Sequence, residues 1–295
     1  MKRTLMLTVA MAALLLAPGL VVAEESNAFV QYFDNGQINW QTGMITATGI
    51  GAPPANAVNM AQQRGMAVRA ATVVARRNLM EIVKGVQIDS ATSVEDYMVT
   101  SDVVVSQVSG FLQNSRRMGP PTYLSDGSVE VTVGIPLHGR LSGVLTPNTT
   151  PFKSMAAPEP KSQPETPAEP APESQVAPEK PVVVYTGLLI DARGLGLRPA
   201  MSPKVLDENG AEIYGSVMVS REYAIQQGMA GYAKSVESAA KNSRIASTPL
   251  QVKAKEASGK ARTNLVVSND QAQEIQRLSK DSEVLEKCKV MIVLD

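Results

Sequence analysis

Residues 61–86 read AQQRGMAVRAATVVARRNLMEIVKGV, inside a stretch from 57 to 84 that holds no proline. At about 100° per residue, Ala67, Val68, Ala70, Ala71, Val74, Ala75, Leu79 and Ile82 share one broad face. Arg69, Arg76, Arg77 and Lys84 fall on the other. This is an amphipathic helix whose inner face is largely alanine, so it is expected to lie close against a sheet. Gly85 stands where a glycine stop is expected. Asn78 lies within the apolar arc. A buried amide needs hydrogen-bond partners, so Asn78 is expected to fix helix-to-strand register. The basic face is either solvated or a meeting place for anionic headgroups, a phosphate-bearing surface or an acidic partner.

Residues 42–50, rich in β-branched side chains, read as a strand that ends at Gly51-Ala52-Pro53-Pro54. Residues 94–99 read as a second, shorter helix. Residues 109–117 and 129–137 read as two strands, joined through Pro120-Pro121 and the turn Ser125-Asp126-Gly127-Ser128. The first module, about 28–145, is therefore expected to be α+β, in the order β-α-α-β-β, with the alanine helix packed on a small antiparallel sheet.

From 146 to 181 the composition changes. Ten of the nineteen prolines fall there, at 147, 151, 158, 160, 164, 167, 170, 172, 178 and 181. Such a run cannot bury enough apolar surface to offset its ordering entropy. We expect a disordered, semi-extended linker rising about 3 Å per residue where it is polyproline II. The second module, 182–295, also reads as α+β. Residues 182–190 form a buried strand, 204–206 and 212–214 a hairpin around Asp207-Glu208-Asn209-Gly210, 265–267 a short strand, and 290–294 a closing strand. Asn269 or Asp270 is placed to cap a helix reaching about 279. Several of these strands are expected to share one mixed sheet, and 216–242 is ambiguous.

The first 23 residues carry Lys2-Arg3, an apolar run from Leu5 to Leu16, Pro18-Gly19, and Val21-Val22-Ala23 before Glu24-Glu25. This is the order of a cleaved secretory signal peptide. The expected destination is the periplasm or the outer membrane. No cysteine near the cleavage point supplies a lipid anchor. The 28 basic and 28 acidic residues cancel, which argues against a general nucleic-acid partner. One His and one Cys exclude a Cys/His zinc cluster and an internal disulfide. Cys288 is either a small apolar residue or the source of an intermolecular disulfide.

Enzyme signatures fail individually. Gly194-Leu195-Gly196 lacks the third glycine of a dinucleotide fingerprint. Asp207-Glu208-Asn209-Gly210 has no downstream Glu at calcium-loop spacing. His138 has no Gly-x-Ser-x-Gly elbow to serve. We expect no catalytic residues, no metal and no cofactor. The most exposed polar group of the second module is Asp191 with Arg193 and Arg198. It reads either as a loop for anionic ligands or as an internal ion pair.

The run Ala61-Gln62-Gln63-Arg64-Gly65-Met66-Ala67-Val68-Arg69-Ala70-Ala71, continued by Ala75-Arg76-Arg77-Asn78-Leu79-Met80-Glu81-Ile82-Val83-Lys84-Gly85-Val86, resembles the helix signature of the Lpp-twenty lipoprotein family, in its FlgP-like group. The arrangement also resembles the FlgT N-terminal domain. Asp126-Gly127-Ser128-Val129-Glu130-Val131-Thr132-Val133 and Ile135-Pro136-Leu137 match the hairpin that follows in such proteins. Tyr185-Thr186-Gly187, Asp191-Ala192-Arg193-Gly194 and Tyr214-Gly215 resemble companion domains of the same exported family. The resemblance covers about 90 residues of the first module. It implies a non-enzymatic envelope role, homo-oligomeric, with other envelope or flagellar motor proteins as partners and possible contact with the outer-membrane surface. Arg69, Arg76, Arg77, Lys84, Asp191, Arg193 and Arg198 are the candidate interaction residues. The alternative is a periplasmic ligand-binding or envelope-maintenance protein unrelated to flagella.

Overall fold

The structure is a computed structural model that describes residues 28–153, 184–281 and 283–295. The expected leader and residues 154–181 of the expected linker lie outside the described residues. No helix among the described residues is long and apolar enough to cross a membrane.

The first half opens with β1 (Val30–Phe33), β2 (Gly36–Asn39) and β3 (Met44–Gly51). Three helices follow, α1 (Met60–Lys84), α2 (Val94–Val99) and α3 (Asp102–Gln113). Then come β4 (Arg116–Arg117), β5 (Thr122–Tyr123), β6 (Val129–Pro136) and α4 (Arg140–Leu145). The strands form one antiparallel sheet in the order β1-β2-β3-β6-β4, with β5 also paired to β6. Strand alternation sets the inner face: Ile45, Ala47, Gly49 and Gly51 are buried and pair with Ile135, Val133, Val131 and Val129.

Helix α1 lies on this face, as its alanine pattern requires. Ala67, Ala71, Ala75, Leu79, Ile82 and Val83 are its buried residues. Ala70 is exposed, and Val68 and Val74 are half-buried, so the buried stripe is narrower than the periodicity suggests. The stripe can be alanine because the facing strand is glycine. A Cβ at Gly49 would stand 2.2 Å from Ala75 N and 2.5 Å from Ala71 O, and one at Gly51 would stand 2.3 Å from Ala67 O. The Asn78 amide donates to Thr48 O at 2.7 Å, the register bond expected of it. Gly85 caps the helix at φ −72°, in the right-handed region, so the expected glycine stop does not use glycine's special freedom.

One local reading is corrected. Residues 109–117 are not a strand: 102–113 form α3, with Ser101 Oγ accepting from Val104 N, and only Arg116–Arg117 pair with β6. Val104, Val108 and Leu112 recur every four residues and are buried, which is a helical stripe. The hairpin β1–β2 adds to the elements read from the sequence; its turn is Asp34-Asn35, with Phe33 opposite Gly36.

The second half contains β7 (Gly187–Asp191), β8 (Val205–Leu206), β9 (Glu212–Tyr214) and a single 3-10 turn, Ser216–Met218. Next come α5 (Arg221–Gln227), β10 (Gly231–Ala233), α6 (Val236–Ala240), β11 (Pro249–Lys253) and β12 (Glu256–Ser258). It closes with β13 (Asn264–Val266), α7 (Asn269–Asp281) and β14 (Val290–Val293). Three of the expected strands, β8, β9 and β13, do share a mixed sheet, while β7 and β14 belong to a second one. The second is parallel throughout, in the order β10-β14-β7-β11; the mixed one runs β12-β13-β8-β9. Unbroken burial along Val290–Val293 and Gly187–Ile190 is what a parallel sheet covered on both faces demands. The α7 cap is Ser268, whose Oγ accepts from Gln271 N, rather than Asn269 or Asp270. At the free edge of β11 the Gln271 amide faces Lys253, its nitrogen 2.9 Å from Lys253 O and its oxygen 3.1 Å from Lys253 N. That blunts an edge otherwise open to strand addition.

Sequence reading separated two compact units by a spacer. In the structure the two halves share one hydrophobic core. Ala28 bridges Ala233 beside β10. Met201 N and Ser202 N donate to Gln87 O and Ile88 O at 3.0 and 2.7 Å, and Gly139 N donates to Ile225 O at 2.7 Å. Trp40 packs edge-on against Tyr232 with ring centroids 5.4 Å apart. The first residues of the expected linker belong to this body. Arg221 donates to the carbonyls of Thr146 and Pro147, and Lys153 pairs with Glu286 at 2.6 Å.

Candidate functional site

Of the four cations singled out on α1, Arg69 and Arg77 are exposed. Arg76 Nε donates to Ser115 Oγ at 3.3 Å, and Lys84 pairs with Glu81 at 3.0 Å within the helix. The Ser115 contact sets the edge strand β4, with Arg117, alongside the helix. One turn from the helix start, the Arg64 guanidinium stacks over the Tyr123 ring at 5.7 Å. Among the described residues, none of Arg64, Arg69, Arg76, Arg77 and Arg117 forms an ion pair. Met66, 44% exposed, and Val73, 59% exposed, lie between these arginines on the outward side of α1. An exposed surface of arginine, methionine, tyrosine and valine, short of lysine and glutamate, has the composition of an interface core. Sequence reasoning missed Arg64, Arg117 and Tyr123. The Arg116-Arg117 doublet was visible, but nothing in the local pattern placed it beside Arg76.

The loop after β7 brings together two of its three candidates. Arg193 holds the Asp191 carboxylate with two side-chain bonds, at 2.9 and 2.8 Å, and with its main-chain N at 3.2 Å. The Arg193 side chain, hydrogen-bonded and charged, keeps the Asp191 carboxyl below its ordinary range. Gly194, at φ 77°, turns its N–H toward Asp295, 2.7 Å away. Arg198 is exposed, joins no ion pair among the described residues, and donates only its main-chain N to Arg262 O. The geometry is that of the internal ion pair.

His138 sits between the halves. Its ring fills space that only glycine leaves: a Cβ at Gly43 would stand 2.2 Å from Cδ2, and one at Gly228 2.8 Å from Cε1. Burial, with the nearby Arg244 charge second, pushes the imidazole pKa down to about 4. Its folded pKa thus lies below the ordinary 6.5. Between those values the unfolded chain binds a proton that the native chain refuses. Stability is therefore complete above about pH 6.5 and falls as the pH drops toward 4, by roughly 2–3 kcal/mol. His138→Asn is expected to remove this fall in urea titrations run across that range. Equal acid sensitivity in the variant contradicts the assignment.

Arg244 enters the same region from the loop after α6. Its Nη1 donates to Gly228 O and Cys288 O at 3.0 Å each, and its Nη2 bonds Gln227 O. Burial lowers its pKa. Cys288 is fully buried, and burial pushes its thiol up to about 12. This corrects the intermolecular disulfide reading, since the folded chain does not present the sulfur. Arg244 lines an open cleft of about 470 Å³. Gln41 reaches it from the first half, Tyr223 from α5, Asn242 from the loop beside Arg244, and Lys287 and Lys289 from the turn before β14.

Residues 187–295 match the family model described as Treponema pallidum Tp0624, second domain. The matched span contains β7 through β14, the Asp191 loop and every cleft residue named above except Gln41; the α1 surface lies outside it. No curated protein matches the chain. The second half of this protein is therefore similar to the second domain of Tp0624.

Proposed function

We propose that the protein is an exported, non-enzymatic component of a bacterial cell envelope that works by protein–protein assembly. The observation that carries this reading is the α1 surface, where Arg64, Arg69, Arg76, Arg77 and Arg117 lack carboxylate partners among the described residues and Met66 and Val73 stand exposed between them. Desolvated arginines and methionines anchor protein interfaces, and unpaired cations favour an acidic partner face. The signal-peptide pattern supplies the destination. The resemblance to the Lpp-twenty family supplies the setting, a homo-oligomeric ring or disc at the outer membrane, associated with a flagellar motor.

The reading predicts a large complex in gently solubilised envelopes. Reversing two exposed charges, Arg69→Glu with Arg77→Glu, is expected to cut recovery of that complex at least about tenfold while leaving the melting temperature of the purified protein unchanged. A wild-type protein that is monomeric and freely soluble after cell fractionation counts against assembly. The flagellar part is separable: a deletion strain with normal swimming and intact basal bodies removes it and leaves the assembly reading standing.

A further inference from the structure

The cleft below α5 is positively charged in a way that neither the fold nor the α1 surface requires. Arg244 is anchored by three main-chain carbonyls, two of them, from Gln227 and Gly228, at the end of α5. Carbonyl dipoles satisfy N–H groups, but they do not cancel a full charge, and a cation buried without a counter-ion is costly. No carboxylate stands within ion-pair distance of Arg244 among the described residues. Lys289, half-buried in the same lining, has no ion pair among the described residues either. Lys287 is paired with Glu283 at 2.5 Å, outside the lining, and no acidic side chain lines the cleft. The rest of the lining is neutral and polar: Gln41, Tyr223, Gln227, Asn242 and Ser243.

We propose that this cleft binds a phosphate group. Arg244 and Lys289, neither in an ion pair among the described residues, line it from different segments, together with neutral polar side chains. A tetrahedral oxyanion with several acceptor atoms can use a guanidinium, an ammonium and amide donors together, whereas a carboxylate presents only two oxygens. A volume of about 470 Å³ admits a phosphate with a small organic group attached. Because Gln41 belongs to the first half and the other walls to the second, the site is complete only when the halves are docked. The phosphate has two sources in an envelope, a soluble phosphate ester or a phospholipid headgroup, and both offer the same atoms to Arg244 and Lys289. This site is separate from the α1 surface and stands or falls without the assembly reading.

The full chain is titrated by calorimetry with inorganic phosphate and with pyrophosphate, and is sedimented with vesicles of phosphatidylglycerol or of phosphatidylcholine. Saturable one-site binding of a free ion supports the cleft with a soluble ligand. Sedimentation with phosphatidylglycerol alone, without binding of the free ions, supports it with a lipid headgroup, provided that Lys289→Glu abolishes it. In either arm Lys289→Glu is expected to weaken binding at least about tenfold. Arg193→Ala, whose guanidinium is held by Asp191, is expected to leave binding unchanged. Arg244→Lys keeps the charge but loses the fork, and is expected to weaken binding if it folds; Lys289→Glu carries the test if it does not. Absence of binding in both titrations and in both sedimentations, or undiminished binding by Lys289→Glu, overturns the proposal.

Discussion

Trp40→Ala is expected to lower the unfolding free energy by about 3–5 kcal/mol, the range for emptying a large aromatic site. Trp40 is 4% exposed, donates from Nε1 to Gln31 Oε1 at 3.0 Å, and meets the Tyr232 ring edge-on. Tyr232 is itself fixed: its hydroxyl donates to Ala200 O at 2.8 Å and accepts from Ala200 N at 3.0 Å. The loss therefore falls on the joint between the halves and not on one half alone. Trp40 is the only tryptophan of the chain, so its fluorescence in the wild-type protein reports docking directly. We expect the wild-type fluorescence change to coincide with the far-ultraviolet circular dichroism change in urea, as for one cooperative unit. In Trp40→Ala, calorimetry is expected to show a lower, broader transition. Separate fluorescence and dichroism midpoints in the wild type are the result that contradicts a shared core.

Gly49→Val is expected to cost more than about 3 kcal/mol, at or beyond the upper end of ordinary overpacking. The collision is with main chain, Ala75 N at 2.2 Å and Ala71 O at 2.5 Å from the new Cβ, so no rotamer change relieves it. Helix α1 must move off the sheet, and the Asn78 bond to Thr48 O is broken with it. Ile50→Val, one residue along and exposed on the opposite face, serves as the control, with an expected change within about 0.5 kcal/mol. Chemical denaturation of both variants distinguishes steric loss from a general intolerance of the strand. Near-equal stabilities place the helix further from the sheet than the geometry has it.

These effects explain which parts of the molecule were legible in the sequence. The alanine stripe of α1, the alternation of β3 and β6 and the continuous apolar runs of β7 and β14 are recorded in neighbouring residues. Local backbone geometry turns such periods directly into elements. The same holds for the hairpin turn at Asp207-Glu208-Asn209-Gly210, where Asp207 Oδ1 accepts from Asn209 N and Ala211 N. Residues 102–113 were harder, because a run of valine suits a strand by propensity. What selects the helix is burial of Val104, Val108 and Leu112 together with the Ser101 cap.

The rest belongs to contacts far apart in sequence. Composition made the α1 cations visible, but only folding sets Arg76 beside Ser115, 39 positions away, and Arg64 over Tyr123. Local sequence leaves Arg193 open to a ligand or to an internal ion pair; folding gives it both oxygens of Asp191. Arg244 gave no sign in its own neighbourhood; its carbonyl partners come from residues 227, 228 and 288, and Gln41 of the first half lines the same cleft. Sequence by itself determined α1, β3, β6, the Asp207 hairpin, β14 and the α+β class, because those follow from periodicity and turn chemistry within a few residues. Tertiary structure alone decided that two halves share a core and that a cationic cleft opens between them, because burial and electrostatic fields sum over whatever the chain brings near, and no local pattern carries that sum.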